Sequence, residues 1–437
     1  MNIFSKSMTY KEYIKYLTPS VLTMVFLSFY TTIDGFFVSR FAGSDALAGI
    51  NIVIPITCII FGVSVMLSTG ASAYIGEFMG KGDYERADNT FSLAALSLLI
   101  FSVIFTAVGI ILLKPIVIFL GTSEKLMPHV LPYALVVFLG TIPMAFKLFF
   151  EYLVRSDGNP KTGLIMSFTG IILNIIADYI FVGIFKMGTL GAALGTVISI
   201  SVSALMGFQY FRKNSTLNFV FPKFDFKLLI KSCINGSSEM LTELSTGITT
   251  LLFNLIIIKE YGEDGIAAVT IIMYIYYFFI SFYMGIAVAT APVISYNLGA
   301  DNHKKIRETL KYSFITIGAA AAVIMAFVLL GGKAIIGLFV SGGYVFDLTW
   351  DALKLFSPVF LFIGVNVFLS GYFTALGDGI TSAIISSLRS FIFVILFLFT
   401  LPSLIDVSGI WLSMPFSEAA TILFALPIFI KKKNRYI

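Results

Sequence analysis

Residues 163–184, GLIMSFTGIILNIIADYIFVGI, form an apolar stretch that contains two strongly polar side chains, Asn174 and Asp178. The stretch is long enough to cross a bilayer as a helix, which takes about 20 apolar residues. A carboxylate at bilayer depth is costly and is by default a functional residue. Asn174 and Asp178 are four positions apart, so they project from one face of that helix. The first apolar stretch of the chain carries a second such carboxylate, Asp34, next to Gly35.

The composition indicates a membrane protein. Of the 437 residues, 58% are hydrophobic and 12% are charged, whereas a soluble globular protein has roughly 25% charged residues. The two cysteines lie in or beside apolar spans and are predicted to be small packing residues rather than a disulfide. The two histidines fall near loops and are predicted to be solvated rather than metal-binding. The net charge of +5 comes with no nucleic-acid motif, and the first apolar stretch lacks the pattern of a cleavable signal.

Twelve apolar stretches predict twelve membrane-spanning helices. They lie near 14–38, 47–70, 91–113, 131–152, 163–184, 189–211, 233–258, 266–290, 312–340, 354–375, 380–402 and 407–430. A polar stretch that contains Pro222, residues 212–231, separates two sets of six spans and is predicted to be a cytoplasmic linker. We therefore predict an all-α integral membrane fold with an N-lobe at 1–211 and a C-lobe at 232–437.

The distribution of lysine and arginine predicts the orientation in the membrane. With the N-terminus placed in the cytoplasm, the inside loops and tails carry most of the basic residues, whereas the outside loops carry few and hold several acids. Positive charge is enriched in cytoplasmic loops. Both termini are therefore predicted to be cytoplasmic, which agrees with an even number of spans.

Short segments recur in the two halves of the chain. FAGSDALAGINI (41–52) aligns with YGEDGIAAVTI (261–271), and GEFMGKGDYERA (76–87) aligns with SYNLGADNHKKI (295–306). A third segment, RSDGNPKTG (155–163), aligns with LGDGITSAI (376–384). Their common order indicates duplication. Six spans per unit make the two repeats parallel, related by an axis along the membrane normal. Two six-helix lobes that face each other across a central cavity are typical of a transporter.

Four residues of the first half are predicted to bind a coupling cation: Asp34, Asn174, Asp178 and Thr196. They supply carboxylate, amide and hydroxyl oxygens, which suit hard cations. They also suit a proton, because two nearby carboxylates in a low-dielectric site cannot both ionise cheaply. The alternative is structural: Asp178 caps a neighbouring helix or bonds to Asn174 to pack the lobe.

The second half offers another acidic pair, Glu239 and Glu243, also four positions apart. They are predicted to face the cavity as a second cation or substrate site. The alternative for Glu239 is a solvated position near the cytoplasmic interface. Aromatic and methionine side chains are predicted to line a pliable, cation-tolerant cavity, or else simply to pack the helices; they include Met24, Tyr30, Met66, Tyr133, Tyr274 and Tyr277.

Other charges in or near the spans are expected to be structural. Glu151 and Arg155 are predicted to form an interfacial pair, and Lys147 is spaced to pair with Glu151 in the same way. Arg389 and Glu418 are likewise expected to be structural rather than transport residues. No nucleotide-binding GxxxxGK[ST] loop and no GxSxG, HExxH or CxxC motif occurs. We therefore predict that the chain is not an enzyme, needs no cofactor and takes its energy from an ion gradient.

The chain resembles bacterial MATE (multidrug and toxic compound extrusion) transporters over essentially its full length. The segments that carry the resemblance are TIDGFFVSRFAGSDALAGINIVIP (32–55), STGASAYIGEFMGKGDYERA (68–87), RSDGNPK (155–161), LNIIADYIF (173–181), GAALGTVIS (191–199) and, more weakly, LSGYFTALGDG (369–379). The resemblance implies a V-shaped antiporter of twelve helices. It also implies a cation site at Asp34, Asn174, Asp178 and Thr196, with Tyr133 nearby.

The pattern departs from one branch of that family. NorM-like members also use acids from the seventh and tenth helices, and Glu243 matches the first of these. The tenth span here has no acid, only Asn366. The chain is therefore closer to the DinF-like and MepA-like branches, and the coupling prediction rests on the first half.

The predicted function is a cation-coupled multidrug antiporter of the bacterial plasma membrane that acts as a monomer on small amphipathic, mostly cationic drugs. Na⁺ and H⁺ both remain open as the coupling ion. The alternative within transport is a flippase for lipid-linked oligosaccharides, which favours several arginines in the cavity to bind pyrophosphate. A membrane receptor or scaffold is a third class, and the lobe duplication and buried acids count against it.

Overall fold

The computed structural model describes residues 4, 6 and 8–436, and the side chains of these residues except 29–36, 39, 44 and 434–436. Throughout this part of the chain the regular structure is helical, with no strand. Fifteen α-helices follow one another: α1 (Tyr10–Ala42), α2 (Ser44–Gly80), α3 (Tyr84–Ile111), α4 (Leu113–Phe119), α5 (Met127–Leu139), α6 (Thr141–Ser156), α7 (Pro160–Asp178), α8 (Gly188–Lys213), α9 (Phe226–Gly299), α10 (His303–Ile336), α11 (Tyr344–Phe356), α12 (Val359–Ala375), α13 (Gly379–Ser387), α14 (Phe393–Ile405) and α15 (Gly409–Tyr436). Two π-helical turns, Tyr179–Ile184 and Leu388–Ile392, continue α7 and α13.

α9 consists of two helical halves that meet at a kink at Gly262. A straight helix of 74 residues would be about 110 Å long, more than three times the thickness of a bilayer core. Gly262 interrupts it with a non-helical, left-handed φ of 61°. Both halves then pack on α2, since Ser232 lies against Gly70 and Ser295 lies against Gly76. α9 therefore contains two of the predicted spans, 233–258 and 266–290.

The all-α membrane fold is confirmed. Among the described residues, 8 helices are long and apolar enough to cross a membrane, and up to 10 spans result if each bent pair counts as one. The bent pairs are α5 with α6, at 53°, and α11 with α12, at 52°. α9 counts once although it holds two spans, and the span predicted at 14–38 lies in α1, whose middle side chains are outside the description. The total of twelve spans therefore stays a prediction.

The turns between helices show the internal repeat directly. Three pairs of residues with left-handed backbone are related by the same separation of 219 positions (262 − 43, 301 − 82 and 377 − 158). In the last two pairs the next residue is a helix N-cap, so Asp83 corresponds to Asn302, and Asn159 to Asp378. This corrects the third sequence alignment, which pairs Asp157 with Asp378 and is shifted by two positions.

Two apolar clusters form the interior. One contains buried residues between Val38 and Leu217, and the other contains residues from Phe253 to Ala425 together with the start of α1. Tyr13 of α1 shares a 2.7 Å hydrogen bond with Ser313 of α10, and Asn297 donates to the Phe4 carbonyl at 3.0 Å. The first residues of the chain thus pack against the predicted C-lobe, although the sequence places them in the N-lobe.

The connection between the two halves is shorter than predicted. α8 ends at Lys213 and α9 begins at Phe226, so both helices extend into the linker predicted at 212–231. The intervening segment is bound to α3, because the backbone N–H of Asn218 donates to Asp88 at 2.8 Å and that of Lys223 donates to Asn89 at 2.7 Å.

Candidate transport site

A cavity of about 520 Å³ lies between the two halves of the molecule. Its walls come from α1, α2, α6, α7, α8 and both halves of α9. Most of the lining is apolar or aromatic, including Leu27, Phe61, Val65, Met144, Leu148 and Ile280. Of the side chains predicted to line a cavity, the structure brings four to this one: Met24, Glu243, Tyr274 and Tyr277.

Two further predicted cavity residues, Tyr133 and Met66, are not among those that line the central cavity. Tyr133 is buried in the core of the first half rather than at the cavity wall. Met66 lies where α2 crosses α9, with its backbone against Gly236. Tyr30 is outside the described side chains. Neither Tyr133 nor Met66 is among the residues that line the central cavity, so their predicted role stays a prediction.

α6 contributes a charged cluster that the sequence assigns to the membrane interface. The pairing is confirmed, with Lys147 Nζ at 2.5 Å and Arg155 at 3.1 Å from the carboxylate of Glu151. The side chains of Glu151 and Arg155 are each only 1% exposed, so the pair is buried inside the protein. Lys147 and Glu151 also line the central cavity. The spacing of four residues shows which side chains pair, but it does not show that their helix face turns inward.

The predicted cation-site residues of α7 and α8 are buried near one another. Asn174 and Asp178 lie on one face at the end of α7, where the helix passes into the π-helical turn Tyr179–Ile184. The Asp178 carboxylate lies so close to α8 that a Cβ at Gly195 would be 2.5 Å from Oδ1. Thr196 is the next residue of α8 and is also buried. The fourth predicted member, Asp34, lies outside the described side chains.

The donor set of this cluster fits a hard cation or a proton. Both polar atoms of the Asn174 amide and the Thr196 hydroxyl are buried without a hydrogen-bond partner among the described residues. Buried polar atoms normally have a partner, so these atoms are available to a ligand. Carboxylate, amide and hydroxyl oxygens are the ligands that hard cations prefer. Among the residues that the structure describes, no three or more His, Cys, Asp or Glu side chains are grouped so that they could hold a metal ion.

The cluster is separated from the central cavity by about one helical turn. Gly170, four positions before Asn174, and Ser199, three positions after Thr196, both line the cavity. Residues three and four apart lie on the same helix face. The polar cluster and the cavity therefore lie on the same faces of α7 and α8, about one helical turn apart.

The acids of the second half have different positions. Glu243 lines the central cavity and an adjoining cavity of about 240 Å³. Glu239 lines two small cavities of about 40 and 30 Å³. Both side chains are partly buried. Tyr152 of α6 lines both the central cavity and the cavity beside Glu239, and no sequence motif marks it.

A buried polar cluster near Glu243 joins three helical segments. Arg389 lies 3.3 Å from Glu418, and Asn366 donates to Glu418 Oε2 at 2.6 Å. Arg389 and Glu418 also line the cavity of about 240 Å³. Arg389 and Glu418 form a buried ion pair, but they are 29 positions apart, so helical spacing does not reveal it.

The chain matches the family model MatE twice, over residues 19–180 and 240–400. These two ranges cover most of the sequence and correspond to the two repeated halves. The chain belongs to the MatE family. The resemblance found in the sequence is thereby confirmed, and the chain is a multi-pass membrane transporter rather than an enzyme.

The relatives and solved structures support this membership. The multidrug export protein MepA of Staphylococcus saprophyticus is 26% identical over 435 residues, which cover 99% of this chain and 96% of that protein. A crystal structure of MATE in complex with MaL6 superposes with a TM-score of 0.91 at 22% identity, covering 98% of this chain and 96% of the other. The outward-facing structure of a multidrug resistance MATE family transporter of the MOP superfamily superposes with a TM-score of 0.89. Its sequence is 22% identical, and the match covers 96% of each chain. These solved structures share the fold.

Proposed function

We propose that this MatE-family transporter is a cation-coupled multidrug antiporter, which exports amphipathic, mostly cationic drugs in exchange for entering Na⁺ or H⁺. The observation that carries the proposal is the arrangement of two adjacent sites. A largely apolar cavity of about 520 Å³ lies one helical turn from a buried cluster of oxygen ligands at Asn174, Asp178 and Thr196. One site suits a drug and the other suits a small cation.

The cavity has the properties of a drug site. Its volume falls within the range of roughly 300–1,000 Å³ that is typical of small-molecule pockets. Methionine side chains adapt to ligands of different shape, and tyrosine rings attract cations; both line this cavity, as Met24, Met144, Met284, Tyr274 and Tyr277. Glu243 adds a negative charge at the wall. The MepA relative is named a multidrug export protein, which supports the same substrate class.

The oxygen cluster is proposed to couple the ion to transport. A bound cation or proton neutralises the buried carboxylate of Asp178 and, as the sequence predicts, that of Asp34. It drives the conformational change only if its affinity differs between the two states of the protein. Asp178 lies between α7 and α8, against Gly195. Its charge state therefore acts directly on the packing of two helices that also form the cavity wall.

The orientation follows from the loop charges. We propose that both termini and the segment between α8 and α9 are cytoplasmic, in a bacterial plasma membrane, and that the chain acts as a monomer. The basic residues Arg212, Lys213 and Lys432 lie at helix ends on the proposed cytoplasmic side, as positive charge does in membrane proteins.

The flippase alternative gains no support from the cavity. Binding of a pyrophosphate would need cations that are free to pair with it. The cations that line the two large interior cavities are Lys147 and Arg389. Lys147 is paired with Glu151 and Arg389 with Glu418, so neither adds a free positive charge.

Transport in reconstituted vesicles tests the function. Purified protein in liposomes is loaded with a fluorescent amphipathic cation, first under an imposed sodium gradient and then under an imposed pH gradient. We expect one or both gradients to drive dye movement against its concentration, and collapse of that gradient to stop it. Dye movement that is unaffected by either gradient contradicts cation coupling, and no dye movement above protein-free liposomes contradicts drug export.

A further inference from the structure

A second cavity of about 240 Å³, here named the side cavity, adjoins the central cavity on the side of the second half of the molecule. It lies between the two halves of α9, the π-helical turn Leu388–Ile392 and α15. Glu243, Tyr277, Ile280 and Met284 line both cavities. The two cavities therefore adjoin along these four side chains.

The threonine hydroxyl groups that line the side cavity already donate their hydrogens to backbone carbonyls. Four threonines line it, and each donates its hydroxyl hydrogen to a backbone carbonyl. The donors, acceptors and distances are Thr242 to Ser238 at 2.9 Å, Thr246 to Thr242 at 3.0 Å, Thr249 to Ser390 at 3.2 Å and Thr250 to Thr246 at 2.9 Å. A hydroxyl has one hydrogen and two lone pairs. What these groups can still offer a ligand is therefore hydrogen-bond acceptors.

The charges of the side cavity leave an excess of negative charge. Arg389 is the cation at its wall, and it is paired with Glu418 at 3.3 Å. Asn366 donates a further hydrogen bond to Glu418. Glu243 has no ion pair within the described side chains. The cavity thus combines several neutral acceptors with the carboxyl group of Glu243, which lies where the two cavities adjoin.

We infer that the side cavity is a subsite for cationic head groups that carry several N–H donors, such as primary ammonium, amidinium or guanidinium. The apolar body of the same molecule lies in the central cavity, and Glu243 at the junction neutralises the charge. The volume equals that of about eight water molecules, at roughly 30 Å³ each, which accommodates such a head group. A quaternary ammonium has the same charge but no N–H, so it cannot use the threonine acceptors. This inference rests on the proposed drug export.

Equilibrium binding of two matched ligands tests the subsite. The probes are naphthylethylammonium and its N,N,N-trimethyl derivative, titrated into the full-length protein in detergent. We expect the primary ammonium to bind about tenfold more tightly, which is the effect of one hydrogen bond to a charged group. Equal affinities overturn the inference but leave drug export standing. Binding of neither probe contradicts the drug site itself. Tighter binding of naphthylacetate than of either cation would assign the cavity to anions through Arg389.

A double variant, Thr246→Val with Thr250→Val, separates the hydroxyl groups from the shape of the cavity. We expect it to reduce the ratio of the two affinities towards one, with the trimethyl derivative binding as it does to the wild type. That unchanged binding also shows that the variant is folded. Thr270→Val is the matched control, because Thr270 lies on α9, makes the same bond to the Ile266 carbonyl at 2.8 Å and is exposed away from the cavity. A ratio unchanged in the double variant overturns the role of the threonines.

Discussion

At the scale of single residues, the buried charges of α6 show what helical spacing reveals and what it does not. Lys147, Glu151 and Arg155 follow one another at intervals of four, so their pairing is predictable from the sequence. Their burial is not, because the other helices that cover them are distant in the chain. In the structure the buried Glu151 carboxylate lies between two cations, beside the central cavity. Glu151 is the only acidic residue among these three side chains.

Removal of the Glu151 charge is expected to destabilise the protein strongly. Glu151→Gln leaves Lys147 and Arg155 buried without a counter-charge, which typically costs about 3–5 kcal/mol. Thermal unfolding in detergent measures the effect. Glu77→Gln is the matched control, because Glu77 pairs with Lys81 at the same spacing but on the surface, where such a pair contributes about 0–1 kcal/mol. Equal shifts in the two variants would show that burial of the α6 cluster has no energetic consequence.

Asp378 ties the end of α15 to the turn between α12 and α13. It caps α13 through the Thr381 N–H at 3.3 Å and pairs with Lys432 at 2.7 Å. Burial acts to raise the pKa of Asp378, but the hydrogen bonds from Lys432 and Thr381 outweigh it, so the pKa lies below its ordinary value of 3.8. A carboxyl with a lowered pKa stabilises the fold at pH values above its ordinary pKa. That contribution is lost as the pH falls through the lowered pKa.

Asp378→Asn is therefore expected to change the acid limb of the stability curve. Asparagine is an equally good N-cap, and Asn159 holds the corresponding position in the first half, so the substitution removes the charge and keeps the cap. Unfolding temperatures measured from about pH 6 down to pH 3 should fall less steeply for the variant than for the wild type. Parallel curves would exclude the Asp378–Lys432 pair as a source of the acid dependence.

At the scale of helices, the two halves of the molecule meet along a seam between α2 and α9. Backbone lies against backbone there: Gly70 on Ser232, Gly80 on Tyr296, Gly236 on Met66 and Gly299 on Glu77. A Cβ at any of these glycines would overlap atoms of the other helix. Small residues permit such close approach between membrane helices. The glycines are visible in the sequence, but the partner helix is not, because its contacts are more than 150 positions away.

Gly70→Ala is expected to weaken this seam. The added methyl group meets the Ser232 carbonyl, which is backbone and cannot move aside cheaply, and overpacking of this kind typically costs about 1–3 kcal/mol. Thermal unfolding of the detergent-purified variant measures the loss. Gly247→Ala is the control, because Gly247 is also helical but has open space around its Cβ position, where alanine favours the helix. A Gly70→Ala variant as stable as Gly247→Ala contradicts the close packing of α2 on α9.

At the scale of the whole molecule, much of the architecture is predictable from the sequence. Apolar length predicts the spans, and the recurring segments predict the duplication, which the turns at Gly43 and Gly262 then show at a common separation. The buried polar cluster at Asn174, Asp178 and Thr196 is also predictable in part, because Asn174 and Asp178 stand out in an apolar helix. Thr196 joins them through tertiary packing at Gly195. The cavities could not be predicted, because Tyr152, Lys147 and Arg389 line them only through the relative placement of helices from both halves.

The most direct test of cation-coupled export is gradient-driven transport by Asp178→Asn in liposomes. The substitution keeps the size of the side chain and removes its charge, and Asp347→Asn, at an exposed position on α11, is the matched control. Asp34→Asn extends the test to the other predicted carboxylate. We predict that Asp178→Asn still binds the fluorescent cation but no longer moves it under a sodium or pH gradient, whereas Asp347→Asn transports as the wild type does. Transport by Asp178→Asn at the wild-type rate under both gradients would contradict the proposed coupling.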